Sequence, residues 1–173
     1  MEKYVPDIYK KSIYDVDYKK LKSNGIKCIL FDLDKTIVPY NIKEPNKKVM
    51  DLFKQIKSLG IKIIIFSNSG KKRLKPFKEM LEVDCCPRAF KPSPKKFVAI
   101  IDGYKYALDE VAIIGDQLLT DILGGNRVGI TTILINPISK KDHIVTWYNR
   151  LREKGIIKKL SKKDIFYRGK YYD

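Results

Sequence analysis

The sequence predicts an α/β fold: a three-layer sandwich with a central parallel sheet between two layers of helices. Three observations predict it. Runs of consecutive apolar residues, such as Cys28-Ile29-Leu30-Phe31 and Ile63-Ile64-Ile65-Phe66, read as strands buried on both faces, not as the alternating pattern of a half-solvated sheet. Segments of helical period separate these runs. Acidic and hydroxyl residues follow the strands directly, at the carboxyl ends where open parallel sheets bind ligands.

Taken in order, residues 4–22 carry Val5, Ile8, Tyr9, Ile13 and Val16 at loosely helical spacing. They predict an N-terminal helix or a strapped-down arm over residues 1–24, closed by an Asn24-Gly25 turn. A strand over 27–33 follows. Pro45 opens a helix with Val49, Leu52, Phe53, Ile56 and Leu59 on one face, and Gly60 closes it. A strand at 61–66, a helix at 70–81 containing Pro76, and a short strand at 83–86 come next. A helix at 94–107, a strand at 111–114, a helix from about 117 to 127 and a strand at 130–135 complete a Rossmann-like alternation. The last helix carries Ile144, Trp147, Tyr148 and Leu151, and a basic, aromatic tail begins at about 157. The whole chain, 1–173, reads as a single domain.

Composition excludes several classes. Of 173 residues, 44% are hydrophobic and 32% charged, as in folded globular chains. No apolar run approaches the roughly 20 residues of a membrane-spanning helix, and the N-terminus lacks the apolar core of a secretory signal. Cys28, Cys85 and Cys86 form no disulfide framework and no zinc spacing, which fits a reducing, cytoplasmic setting. His143 is the one histidine and lies far from the acidic motifs. No phosphate-binding loop of the NTPase type is present. Cys85-Cys86 lacks the arginine-bearing loop that thiol-based phosphate chemistry requires. The net charge of +16 favours anionic partners: a phosphorylated substrate, anionic lipid or nucleic acid. A lysine-rich composition unrelated to any partner is the alternative. Residues 140–173 hold 11 Lys and Arg against 4 acids, so the last helix is a candidate for peripheral contact with an anionic membrane, the alternative being that it covers the sheet. Tyr167, Tyr171 and Tyr172 among basic residues are candidates for stacking on RNA.

The chemistry lies in four segments: Asp32-Leu33-Asp34-Lys35-Thr36, Ser67-Asn68-Ser69, Lys91-Pro92, and Gly115-Asp116-Gln117-Leu118-Leu119-Thr120-Asp121. Asp32 and Asp34, two apart in an extended chain, point to the same side. With Asp116 from a neighbouring strand they offer an all-oxygen donor set suited to Mg²⁺. Ser67 can donate a hydrogen bond to phosphate, and Lys91 can neutralise charge on a transferring phosphoryl group. One carboxylate can act as nucleophile and the other as acid and base.

In order and placement these four motifs resemble those of the haloacid dehalogenase (HAD) phosphatase superfamily. The resemblance implies that Asp32 is the nucleophile and Asp34 the general acid/base. It implies that Mg²⁺ is held by Asp32, the backbone carbonyl of Asp34 and Asp116, with Asp121 supporting the site. Ser67 and Lys91 would bind phosphate, with Thr36 and Asn68 beside them in the substrate-binding set. The 30 residues between Thr36 and Ser67 and the 23 between Ser67 and Lys91 leave no room for a cap domain, so the chain resembles the capless subclass, whose open site suits a large substrate. Gly115-Asp116-Gln117-Leu118-Leu119-Thr120-Asp121 with Gly124-Gly125-Asn126-Arg127, and Asn149-Arg150, resemble the YqeG family in particular. Lys35 departs from that family's usual Asn, and either touches substrate or faces solvent. The family is similar to the mitochondrial phosphatidylglycerophosphate phosphatases. The implied function is a Mg²⁺-dependent phosphomonoester hydrolase acting on phosphatidylglycerophosphate at the inner face of the membrane. The alternatives are a soluble phosphatase of nucleotides or sugar phosphates, or an RNA- or ribosome-binding protein that keeps a phosphatase core. The sequence leaves the oligomeric state open.

Overall fold

A strand that is apolar on both faces needs a helical layer on each, and the computed structural model has this arrangement. It describes residues 2–139 and 144–173, with side chains at all of these except 144–148 and 150. His143, and the Trp147 and Tyr148 side of the last predicted helix, lie outside what is described. Six strands, β1 (Ile8–Lys10), β2 (Cys28–Phe31), β3 (Lys62–Phe66), β4 (Asp84–Cys86), β5 (Val111–Gly115) and β6 (Thr131–Ile135), form one sheet in the order β1-β6-β5-β2-β3-β4. Every pairing is parallel.

The helices are α1 (Tyr18–Ser23), α2 (Lys47–Ser58), α3 (Lys71–Leu81), α4 (Pro94–Tyr104), α5 (Leu123–Val128) and α6 (Ile144–Lys162). Alternate strand residues serve opposite layers. Ile29, Phe31, Ile63, Ile65, Ala112 and Ile114 pack with Val49, Phe53 and Ile56 of α2 and Leu74 and Phe77 of α3. Leu30, Ile64, Phe66 and Ile113 pack with Phe97 and Ile101 of α4. Burying each such side chain contributes about 1.5–3 kcal/mol. The β2–β3 connection holds only a loop and α2, and the β3–β4 connection only α3, so no separate cap is present among the described residues.

Three segments differ from the sequence reading. The helical spacing in residues 4–22 resolves into the edge strand β1 and the short helix α1, because Ile8–Lys10 pairs with Ile133–Ile135 and Tyr9 buries its ring. The C-terminal residues then cover β1. Tyr9 and Tyr172 exchange two backbone hydrogen bonds of 3.0 Å, and the Tyr171 ring lies 4.9 Å from that of Tyr9. This contact blunts a sheet edge, and it engages two of the tyrosines offered for RNA stacking. The second difference is the predicted tail from 157, which begins inside α6 and buries Phe166 in the core. The third difference is the helix from 117 to 127. It opens as a π-helical turn over Leu118–Ile122 before α5, a distortion typical of functional sites.

Candidate active site

Register places the acidic residues. Phe31 stands opposite Ile114 on one side and Ile65 on the other. Asp32 therefore emerges beside Gly115 and Asp116, with Ser67 two residues past the end of the β3 pairing, all at the carboxyl edge. The Asp32 N–H donates to the Ile114 carbonyl at 2.9 Å, carrying the ladder one step past β2.

Asp32, Asp116 and Asp121 are buried, and one carboxylate oxygen from each lies within 4.8 Å of the others. The Lys91 ammonium sits among them, 2.7 Å from Asp32 Oδ1 and 2.6 Å from Asp121 Oδ1. The π-helical turn returns Asp121 to the site: its Oδ2 accepts from the Gln117 N–H at 3.2 Å. Gly115 makes room for it, since a Cβ there would overlap the Asp121 carboxylate. Burial pushes the Asp32 carboxyl up to about 8. The charges of Asp121 and Asp116 act in the same direction, and Lys91 opposes them. The carboxylates around it raise Lys91, whose charge is thereby secured despite burial. Three buried carboxylates thus meet at one point, two of them bonded to the Lys91 ammonium. Their all-oxygen donor set fits a hard divalent cation such as Mg²⁺.

Asp34 is not part of that cluster. Arg73 of α3 holds its Oδ1 through Nε at 3.0 Å and Nη2 at 2.8 Å, and the Ser69 hydroxyl donates to Oδ2 at 2.6 Å. Arg73 also bonds the Ile42 carbonyl and faces the Tyr40 ring at 6.0 Å, tying the loop after β2 to α3. A cavity of about 310 Å³ opens over the cluster, lined by Asp32, Asp34, Lys35, Ser67, Lys91 and Asn149 among others.

The remaining predicted residues take specific places. The buried Thr36 hydroxyl faces Asp32 at 3.4 Å and Asp116 at 3.5 Å and does not line the cavity. Asn68 binds the Lys91 backbone through both side-chain heteroatoms, Oδ1 at 2.8 Å and Nδ2 at 3.2 Å. Ser67 is buried and lines the cavity. Lys35 does not face solvent: it is 3% exposed, lines the cavity, and adopts φ +70°. That left-handed conformation is uncommon for a non-glycine residue other than Asn or Asp. Cys85 and Cys86 are half-buried, and burial pushes Cys85 up to about 11 and Cys86 in the same direction, so neither is a thiolate at neutral pH.

Arg73 stands in the sequence among the lysines of α3, Lys71, Lys72, Lys75 and Lys78. Its being the lone Arg among them was the available signal, because Arg suits two-point carboxylate binding. Tyr40 lines the cavity with no local signal, and Gln117 and Thr120 line it from within the fourth motif. A larger groove of about 390 Å³ lies near the amino end of β3, between Lys57, Lys62 and Lys78. There Lys62 pairs with Asp84 at 2.5 Å and Lys57 bonds the Leu81 carbonyl at 2.9 Å. It gathers no buried acids, so the chemistry belongs to the acidic cavity.

Comparison with known proteins agrees. The hydrolase-like family model described as HAD-hyrolase-like matches residues 89–144. The chain is 36% identical over 160 residues to "Probable phosphatase YqeG" of Bacillus subtilis, covering 92% of this chain and 93% of that protein. It is 27% identical to phosphatidylglycerophosphate phosphatase 1, chloroplastic/mitochondrial, of Arabidopsis thaliana, over 93% of this chain and 49% of the plant protein. Among solved structures, a protein described as a HAD superfamily (subfamily III A) hydrolase from Legionella pneumophila superposes with a TM-score of 0.53 and 18% identity, over 71% of this chain and 74% of that one. The last likeness concerns fold alone.

Proposed function

The chain belongs to the YqeG family of HAD-like phosphatases, and from that premise we propose that it hydrolyses a phosphomonoester through an aspartyl-phosphate on Asp32. The observation that carries this reading is the convergence of Asp32, Asp116, Asp121 and Lys91 under one open cavity, with Asp34 at its side. Phosphatidylglycerophosphate is the proposed substrate, at the cytoplasmic face of the membrane. The similarity to the plant phosphatase, the absence of a cap and the basic surface support it. Among the described residues no helix is long and apolar enough to cross a membrane, so contact with lipid is peripheral in this reading.

The substrate phosphoryl group enters the cavity and meets Ser67 and Lys91. A carboxylate oxygen of Asp32 forms a bond to phosphorus as the ester P–O bond breaks. Asp34 gives a proton to the departing alkoxide, then takes one from the water that hydrolyses the aspartyl-phosphate. Lys91 stabilises charge on the phosphoryl oxygens. Asn68 holds the Lys91 backbone, and Thr36 sits against the carboxylates of Asp32 and Asp116. Asp32, the Asp34 carbonyl and Asp116 would hold Mg²⁺, with Asp121 supporting them. The bound ion would neutralise negative charge between the carboxylates and the phosphate.

Phosphate release from phosphatidylglycerophosphate in mixed micelles, measured against glycerol phosphate and 4-nitrophenyl phosphate, tests the reading. A lipid kcat/KM at least about tenfold above both soluble esters is expected. Equal or lower values would discard the lipid assignment and keep the phosphatase.

Two further outcomes follow from the geometry. In the metal-free protein the raised Asp32 binds a proton that the unfolded chain has already lost. The stability that Asp32 contributes therefore falls as pH rises from about 4 to about 8. Mg²⁺ replaces that proton, so it should raise the melting temperature more at pH 8 than at pH 5. Equal shifts at the two pH values would remove Asp32 from the metal site.

Arg73 touches neither phosphate nor metal in this scheme and acts as a positioning residue for Asp34. Arg73→Ala should lower kcat/KM for alkyl phosphates about 100-fold, the lower range for lost general-acid catalysis. The value for 4-nitrophenyl phosphate, whose leaving group needs no proton, should fall far less. An equal fall for both esters would mean that Arg73 only supports the fold.

A further inference from the structure

Four apolar side chains stand exposed around the cavity, on loops that other contacts hold in place. Phe90 and Tyr40, 64% and 53% exposed, are the two most exposed large apolar residues among those described, with Ile138 at 45% and Ile42 at 39%. Each connects to the site. Tyr40 lines the cavity, and Phe90 adjoins Lys91. The Ile138 N–H donates to the Lys35 carbonyl at 3.0 Å. The Ile42 carbonyl accepts from Arg73, which holds Asp34.

The exposure of Phe90 is not slack. Its loop is pinned by Arg88 N–H to the Ser69 carbonyl and Ala89 N–H to the Ser67 carbonyl, both at 2.9 Å. Phe90 itself adopts φ +54°, a strained conformation for an aromatic residue, with no burial to offset it. The loops follow β2, β4 and β6, so they span four inter-strand spacings of the sheet edge, about 19 Å at about 4.8 Å each.

Charge accompanies the apolar rim. In segments 39–46, 67–72, 87–96 and 136–139 the exposed cations are Lys43, Lys71, Lys72, Arg88, Lys95 and Lys96, against the single exposed acid Glu44. The opposite edge differs: there Lys27 pairs with Glu110 and Lys62 with Asp84. Exposed apolar side chains with exposed cations on the same loops and the helix starts beside them match a surface with acyl chains beneath anionic headgroups. We propose that this carboxyl edge docks on an anionic lipid surface, with Phe90 and Ile138 inserted and the cavity mouth turned to the headgroups. The proposal rests on the lipid-phosphate reading above, because docking there presents a headgroup phosphate directly to Ser67 and Lys91.

The test is flotation of the full chain with phosphatidylcholine vesicles, with and without phosphatidylglycerol, comparing wild type with Phe90→Asn/Ile138→Ser. Asn accepts the left-handed backbone at position 90. Neither residue belongs to the catalytic set, so 4-nitrophenyl phosphate turnover should stay at the wild-type level and report an intact fold. Wild type should float only with anionic vesicles, and the double variant should bind at least about tenfold more weakly. Wild type that does not float overturns the proposal, as does a double variant that floats equally well. Binding that 0.5 M salt abolishes and the double variant retains would show charge attraction without insertion and would also overturn it. RNA binding that excludes vesicles would assign the edge to nucleic acid instead. Micellar phosphatidylglycerophosphate hydrolysis separates the two readings: turnover without vesicle binding removes the docking surface alone, and rim-dependent binding without turnover removes the substrate alone.

Discussion

Asp32→Asn is expected to lower kcat by about four orders of magnitude or more on every phosphomonoester the protein hydrolyses. The amide keeps the shape of the carboxyl but cannot form the phosphoryl bond. Unfolding would not be the cause. Asp32 is buried, and burial with the charges of Asp121 and Asp116 works against its ionised form, so a neutral side chain there relieves repulsion within the cluster. The variant should melt no lower than wild type in the absence of metal. Phosphate release from the lipid and from 4-nitrophenyl phosphate, with a thermal melt on the same preparation, checks both halves. A residual rate above about one hundredth of wild type would transfer the nucleophile's role to another group.

Lys91→Met is expected to cost about 3–5 kcal/mol of stability in metal-free protein, because it leaves buried carboxylates without the ammonium 2.7 Å from Asp32 and 2.6 Å from Asp121. For a domain of this length that corresponds to a melting point lower by on the order of 10 °C. Added Mg²⁺ should recover part of the loss, since a second source of positive charge enters the same cluster. Catalysis should not recover with it. The cation facing the phosphoryl oxygens is gone, and kcat should stay about 100- to 1,000-fold down. Melting curves in chelator and in Mg²⁺, beside turnover in Mg²⁺, separate the two effects. A variant that melts with wild type in chelator would show that the carboxylates are satisfied without Lys91.

These two residues illustrate how much of the site was legible beforehand. Asp32 follows an unbroken apolar run, and Lys91 precedes a proline after a short strand; both stood in motifs whose order along the chain matched an α/β alternation. Their contact is a different matter. They are 59 residues apart, and only the parallel register of β2 with β3 and β3 with β4 brings their segments to one edge. Asn68 and Thr36 stood in motifs too, but the direction of each side chain, toward the Lys91 backbone and toward two carboxylates, depends on loops that pack after the strands align. Arg73 was visible only as one charge among several on α3. That it grips Asp34 and not solvent follows from how α3 docks across the end of β2.

By itself the sequence determined the local quantities: which runs are apolar enough to be buried on both faces, where helices start and stop, which acids follow strands, and the net charge of +16. These depend on side-chain chemistry and on spacing along the chain. Tertiary structure decided what depends on neighbours distant in sequence. It made Ile8–Lys10 an edge strand, because β6 offers a free edge and Tyr172 closes the other side. It bent residues 118–122 into a π-helical turn that returns Asp121 to the cluster, and it set Phe90 and Ile138 on opposite flanks of one cavity. The physical reason is that a parallel sheet joins strands by crossovers, so its carboxyl edge is assembled from segments that the chain itself keeps far apart.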